Sequence, residues 1–116
     1  MSEKPLPENG GIRDLADIPS AEVVSRAAVM LMSAAAEKLG LAGPDPERSE
    51  HLDLDEARRL ITALAGLLTA ARPDLGPHAG PLMDGLRALQ LAFRETSGYP
   101  DDPGQGPGEK YTGPVA

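Results

Sequence analysis

The sequence predicts an all-α fold, with a domain of three helices between two disordered tails. Apolar residues recur at helical spacing in three segments between positions 20 and 97. No run of the chain shows the sustained apolar–polar alternation that is typical of strands. The segments outside that range differ in composition, because residues 1–19 and 98–116 are polar and rich in Gly and Pro.

The two tails are predicted from their low content of apolar side chains. Residues 1–19 read MSEKPLPENGGIRDLADIP, and nine of the nineteen residues at positions 98–116 are Gly or Pro. Such segments bury too little apolar surface to offset the entropy that is lost on ordering. We therefore expect one helical domain at 20–97, with disordered segments at 1–19 and 98–116.

The first helix is predicted from about Ser20 to Leu39, where small apolar residues dominate and a neighbouring helix can approach closely. Either Asp17 or Ser20 is expected to cap its start. Gly40 is expected at the C′ position, where the left-handed conformation ends many helices.

The second helix is predicted to begin after Asp53 and to end before Pro73, since the residue preceding a proline disfavours the helical region. Asp53 followed three residues later by Glu56 resembles a capping box. A packed face is predicted from apolar residues at 3–4 spacing, which are Ala57, Leu60, Ile61, Leu64, Leu67, Leu68 and Ala71.

The third helix is predicted from Pro81, a residue favoured at the first helical position, to Glu95. Its apolar face consists of Leu82, Leu86, Leu89 and Phe93. The polar positions Arg87, Gln90 and Arg94 are interpreted as a solvated face. The short connector at 72–80 predicts an antiparallel hairpin of the second and third helices, with Leu75 folded back onto it.

The segment HLDLDE at 51–56 contains the strongest candidates for a chemical site. A metal or acid–base site would require His51, Asp53 and Glu56 to converge. However, Asp53 is explained as a helix cap, and carboxylates in a first turn complement the positive end of the helix dipole. We therefore interpret the segment as a helix start, and predict no catalytic, cofactor-binding or metal residues. A metal- or ligand-dependent enzyme using His51, Asp53 and Glu56 is the alternative.

Charge and composition narrow the classes of partner. The net charge of −7 disfavours direct nucleic-acid binding, since an acidic chain is repelled by phosphate. No apolar segment is long enough to span a membrane, and the N-terminus lacks the apolar region of a signal peptide. The chain has no cysteine, which suits a reducing compartment. We expect a cytoplasmic protein without a cofactor.

The order of three segments resembles the bacterial domain-of-unknown-function family DUF1844. These segments read KLGLAGPDP, then DLDEARRLITALAGLL, then LMDGLRALQLAFRE, and the resemblance covers roughly residues 20–96. It implies a small, cytoplasmic, all-helical domain and carries over no catalytic residue. In high-G+C bacteria, family members that resemble this chain tend to be encoded beside a translation initiation factor and two large-subunit ribosomal proteins. The resemblance therefore implies a translation-associated role and a partner from the translation machinery.

The sequence predicts a non-enzymatic interaction or structural protein that forms a homodimer. The apolar residues of the first helix spread around much of its circumference, and these are Val23, Val24, Met30, Leu31 and Met32. One helical hairpin cannot cover them all, whereas a symmetric dimer through the first helix can. The methionines are interpreted as filling gaps between packed helices. The second alternative is a regulator that binds a peptide or helix in an apolar groove.

Overall fold

The computed structural model describes residues 15–41, 43–45 and 50–115, and these residues form helices without a strand. The long helices are α1 (Ser20–Lys38), α2 (Leu54–Ala71) and α3 (Ala79–Thr96), and a single turn follows as α4 (Glu109–Thr112). Short 3-10 helices occupy Leu15–Asp17, Arg72–Asp74 and Gly76–His78. The predicted all-α class with three long helices is confirmed. None of the described helices is both long enough and apolar enough to cross a bilayer.

The three long helices pack against one another around a single core. α1 therefore lies on the hairpin of α2 and α3 within one chain. The buried apolar side chains are Ala28, Ala35, Leu39, Ala57, Ile61, Leu64, Ala65, Leu68, Leu75, Leu82, Leu86, Leu89 and Phe93. The predicted apolar face of α3 is buried in full, and Leu75 returns to the core as predicted.

The end of α1 follows the prediction. Gly40 has a φ of 75° and donates its N–H to the carbonyl of Glu37, while Leu41 donates to the carbonyl of Ala36. This pair of bonds is the Schellman motif with glycine at C′.

The start of α1 differs from the prediction, because Pro19 occupies the N-cap position. The Pro19 carbonyl accepts from the N–H groups of Glu22 and Val23 at 3.0 and 3.2 Å. Among the described residues no side chain caps this end of α1, so the expectation of a cap by Asp17 or Ser20 is wrong. Proline supplies an extended conformation before the helix without a side-chain acceptor.

The start of α2 is capped as predicted. Asp53 is extended (φ −154°, ψ 97°), and its Oδ1 accepts from the Glu56 N–H at 3.1 Å. The Asp53 N–H donates to the carbonyl of Lys38 at 2.8 Å, which ties the start of α2 to the end of α1. With that N–H satisfied by Lys38, the Glu56 carboxylate pairs instead with Arg59.

α3 begins at Ala79, two residues before the predicted Pro81. Its Gly85 permits a close approach of α1, because a Cβ atom there would overlap the terminal methyl of Met32. Met32 therefore fills a gap between helices, as predicted. Met30 does not, because it is exposed to solvent.

The two predicted tails have different outcomes. Residues 1–14 of the N-terminal segment lie outside the described residues, while Leu15–Asp17 form a 3-10 helix. The prediction of disorder at 98–116 is wrong for residues 98–115, which we name the C-terminal strap. The strap crosses α2 and α3, and its Val115 is buried. Its glycines do not loosen it, since Gly104, Gly108 and Gly113 provide the positive φ values that its turns require.

Candidate functional site

The structure does not bring His51, Asp53 and Glu56 together as a ligand set. His51 lies in an exposed turn before α2, Asp53 caps the helix and Glu56 pairs with Arg59. Throughout residues 15–41, 43–45 and 50–115, no three His, Cys, Asp or Glu side chains are grouped so as to hold a metal ion. The candidate surface lies elsewhere, on the side of α1 that faces away from the core.

An open groove of about 630 Å³ runs along the N-terminal half of α1. Its lining residues are Glu22, Ser25, Arg26, Val29 and Met30 of α1, and His78 from the connector before α3. Met30 is 74% exposed and Val29 is 52% exposed, although both are large and apolar. The groove therefore presents an apolar surface that the rest of the described chain leaves uncovered.

Four exposed residues form the outer face of α1: Arg26, Met30, Ser33 and Glu37. Their 4–3–4 spacing places them in one row along the helix. The opposite side of α1 carries the buried core residues Ala28 and Ala35. The row thus has a cation at one end, an anion at the other, and an apolar and a small polar side chain between them.

The C-terminal strap is held by a buried carboxylate that sequence reasoning missed. Glu109 is only 7% exposed. Its Oε1 accepts from the N–H groups of Gly104 and Gly106 at 2.8 and 3.1 Å, and its Oε2 accepts from Val115 at 3.2 Å. One side chain thereby satisfies three backbone donors on both sides of α4. The spacing GQGPGE, with an acid closing a run of alternate glycines, is the only local signal of this arrangement.

The middle of the strap is fastened to α2 and α3 by polar contacts. The Gly108 N–H donates to Oγ1 of Thr62 at 3.1 Å. Nε2 of Gln90 donates to the Pro107 carbonyl and to Oγ1 of Thr112, both at 3.1 Å. Gln90 is buried at 3% exposure, so its interpretation as part of a solvated face is wrong. The strap supplies the acceptors that a buried amide requires.

The beginning of the strap is attached to two arginines. Arg58 of α2 donates from Nη2 to both carboxylate oxygens of Asp101, at 3.1 and 3.0 Å, and its guanidinium lies 5.0 Å from the ring centre of Phe93. Arg94 of α3 donates to the Asp101 carbonyl at 3.2 Å. The strap therefore uses basic side chains of α2 and α3 for an intramolecular contact, while the outer face of α1 remains open.

The comparisons with known proteins match the helical part of this architecture. The family model for a domain of unknown function, DUF1844, matches residues 20–95. The match includes α1, α2 and almost all of α3, and it ends before the C-terminal strap. No curated protein and no solved structure matches the chain.

Proposed function

The chain belongs to the DUF1844 family, and we propose that it is a non-enzymatic helical interaction protein that pairs with a second copy of itself through α1. The observation that carries this proposal is the exposure of Met30 and Val29 beside a groove of about 630 Å³. The proposal extends beyond family membership, because the family description names no function.

A non-enzymatic role is supported by the way the chain uses its carboxylates. The Asp53 side chain satisfies a helix N–H, the Glu109 side chain satisfies three strap N–H groups, and Asp101 binds Arg58. Carboxylates engaged in this way stabilise the fold. The acidic segment at 51–56, which was the strongest candidate for chemistry in the sequence, is thus explained as a helix start.

Self-association is supported by the free energy that apolar burial supplies. Covering a side chain such as Met or Val contributes about 1.5–3 kcal/mol when the burial is complete. In a symmetric dimer each exposed residue is covered in both copies, so one small patch contributes its burial free energy twice. The apolar part of the patch is flanked by charged residues of both signs, which suits a contact between identical surfaces.

The test is sedimentation equilibrium of the full chain across a range of concentrations. We expect the mass to rise from monomer to dimer, and Met30→Asp to lower the dimer fraction, because the substitution places a charge in the centre of the apolar contact. Ala88→Asp is the matched control, since Ala88 is exposed in the middle of α3. A monomer mass for the wild type at all concentrations contradicts the proposal. Equal weakening by both substitutions assigns the effect to the added charge and contradicts an interface centred on Met30.

A partner from the translation machinery, which the family resemblance implies, stays a prediction. A peptide or helix bound in the groove, the second alternative from the sequence, is separated from self-association by the same experiment. A groove reserved for a peptide leaves the wild-type chain monomeric at all concentrations.

A further inference from the structure

We infer that α1 pairs antiparallel with α1 of a second copy, so that Arg26 faces Glu37 of the second copy and Met30 faces its Ser33. This inference rests on the self-association proposed above, and it specifies the direction and register of the two helices. It is carried by the order of the four side chains on the outer face of α1.

The outer face is suited to pairing with another helix. At 3.6 residues per turn, positions 26, 30, 33 and 37 fall within an arc of about 60°. All four are exposed, and they lie opposite the core residues Ala28 and Ala35. Their 4–3–4 spacing is that of the contact row in a two-helix coiled coil.

A single two-fold axis satisfies both proposed pairs. A two-fold axis that relates antiparallel helices crosses them at one point. Each residue then faces the residue of the second copy that lies at the same distance along the helix on the opposite side of that point. The midpoint of Arg26 and Glu37 lies between Leu31 and Met32, and the midpoint of Met30 and Ser33 is the same point. The axis therefore makes two ion pairs at the ends of the contact and places a large side chain against a small one in each inner layer.

The other arrangements of the same row are less favourable. A parallel pair places Arg26 against Arg26 and Glu37 against Glu37, and like charges in contact are repulsive. An antiparallel pair shifted by seven residues places Arg26 against Met30 and Glu37 against Pro19, which removes both ion pairs. Charge order of this kind decides orientation and register more than it adds affinity.

The length of the row limits the strength of the dimer. Eleven residue steps of α1 span about 16 Å at the helical rise of about 1.5 Å per residue. A contact of that length belongs with small interfaces, which dissociate at low concentration. Within a single chain, Arg26 also pairs with Glu22 of its own helix, and the ion pair between two copies competes with this contact.

Cysteine cross-linking tests the direction, because the chain has no native cysteine. Two full-length variants are prepared, Arg26→Cys and Glu37→Cys, and are oxidised separately and as an equimolar mixture. We expect a disulfide dimer in the mixture, where one native Arg26–Glu37 pair remains. Each variant alone is expected to stay uncross-linked, because the two identical positions lie about 16 Å apart along an antiparallel pair, beyond the reach of a disulfide.

The possible results separate the register from the proposed function. Disulfide formation by each variant alone, with no disulfide joining position 26 of one variant to position 37 of the other in the mixture, shows a parallel pair. That result overturns the register while α1 remains the interface. No disulfide in a sample that sediments as a dimer overturns the inferred contact. A wild-type chain that sediments as a monomer overturns the proposed function itself.

A charge exchange provides a second test of the same register. Glu37→Arg is expected to weaken association by roughly tenfold, because it replaces two attractive contacts by two repulsive ones. Adding Arg26→Glu to the same chain is expected to restore association to within a few-fold of the wild type. The single variant Arg26→Glu completes the comparison. If the loss of association free energy in the double variant equals the sum of the losses in the two single variants, the pairing of positions 26 and 37 is overturned.

Discussion

At the scale of single residues, two carboxylates hold backbone N–H groups that would otherwise lack partners. Asp53 accepts from one N–H at the start of α2, and Glu109 accepts from three in the strap. Asp53 is exposed and its role is local, so its contribution is that of an ordinary helix cap. Glu109 is buried and joins groups up to six residues away, so its contribution is cooperative.

The cap leads to the first prediction. Asp53→Ala is expected to lower the free energy of unfolding by about 1 kcal/mol, and Asp53→Ser or Asp53→Asn to restore most of it, because those side chains also accept from a helix N–H. Chemical denaturation of the purified variants measures the effect. Asp55→Ala is the control, since Asp55 is an exposed acid of the same turn. If Ser fails to rescue and a chelator lowers the melting temperature of the wild type, Asp53 is a metal ligand and not a cap.

The buried carboxylate leads to the second prediction. Glu109→Gln keeps the size of the side chain but leaves one acceptor oxygen where two are used, and it introduces two N–H donors without partners. Hydrogen bonds to a charged group contribute about 1.5–3 kcal/mol each, so we expect the strap to open locally. Native-state hydrogen exchange is expected to speed up at Gly104, Gly106 and Val115 while α2 stays protected. The charge control is Asp102→Asn, at an exposed position of the strap, and an equal effect of this control would assign the loss to net charge.

At the scale of elements, the helices were predictable and the strap was not. The spacing of Leu82, Leu86, Leu89 and Phe93 predicts the buried face of α3 directly, because residues three or four positions apart lie on the same side of a helix. The strap has no period, and its Gly and Pro content is typical of disorder. Its order comes from contacts between residues distant in sequence, such as Gly108 with Thr62, which local patterns do not record.

The same limit explains the error at α3. The sequence predicts a solvated position for Gln90, together with Arg87 and Arg94, since a polar residue between charged ones is ordinarily exposed. The strap covers Gln90 and supplies acceptors from Pro107 and Thr112. On α1, the sequence predicted an interface but not which residues remain exposed. Val23 and Leu31 are partly buried, whereas Val29 and Met30 face solvent.

The third prediction concerns the contact between the strap and α2. Gly108 has a φ of 76°, and a Cβ atom there would lie 2.7 Å from the Cβ atom of Ala65. Gly108→Ala is therefore expected to combine backbone strain of about 1 kcal/mol or more with a steric overlap, and to detach the strap. Amide exchange from Gln105 to Val115 measures the detachment. Gly98→Ala is the control, because a Cβ atom there meets no atom within 4 Å and Gly98 does not have a positive φ; similar exchange in both variants would contradict the packing role of Gly108.

At the scale of the whole molecule, the structure has two separate surfaces. One is the side of α2 and α3 that the strap covers, and the other is the outer face of α1, which we propose for self-association. The strap covers α2 and α3 through hydrogen bonds with Arg58, Thr62 and Gln90, and its Val115 is buried. The outer face of α1 lies on a different helix, which these contacts do not include. The family match includes α1 and excludes the strap. The two surfaces should therefore respond independently to substitution, even though association and folding are linked through concentration.

The last prediction is a reciprocal test of this separation. Removing residues 98–116 leaves buried Gln90 without its strap acceptors and uncovers the apolar surface around Ala65, so the melting temperature is expected to fall by several degrees. Below that temperature the truncated chain is expected to dimerise as the full chain does. Met30→Asp is expected to do the opposite: it weakens association and leaves strap exchange unchanged, because Met30 lies on the outer face of α1. Calorimetry on the truncated chain, amide exchange on Met30→Asp and sedimentation on both proteins give the four measurements. Loss of the dimer on truncation would place the strap at the interface and reject the division into two surfaces.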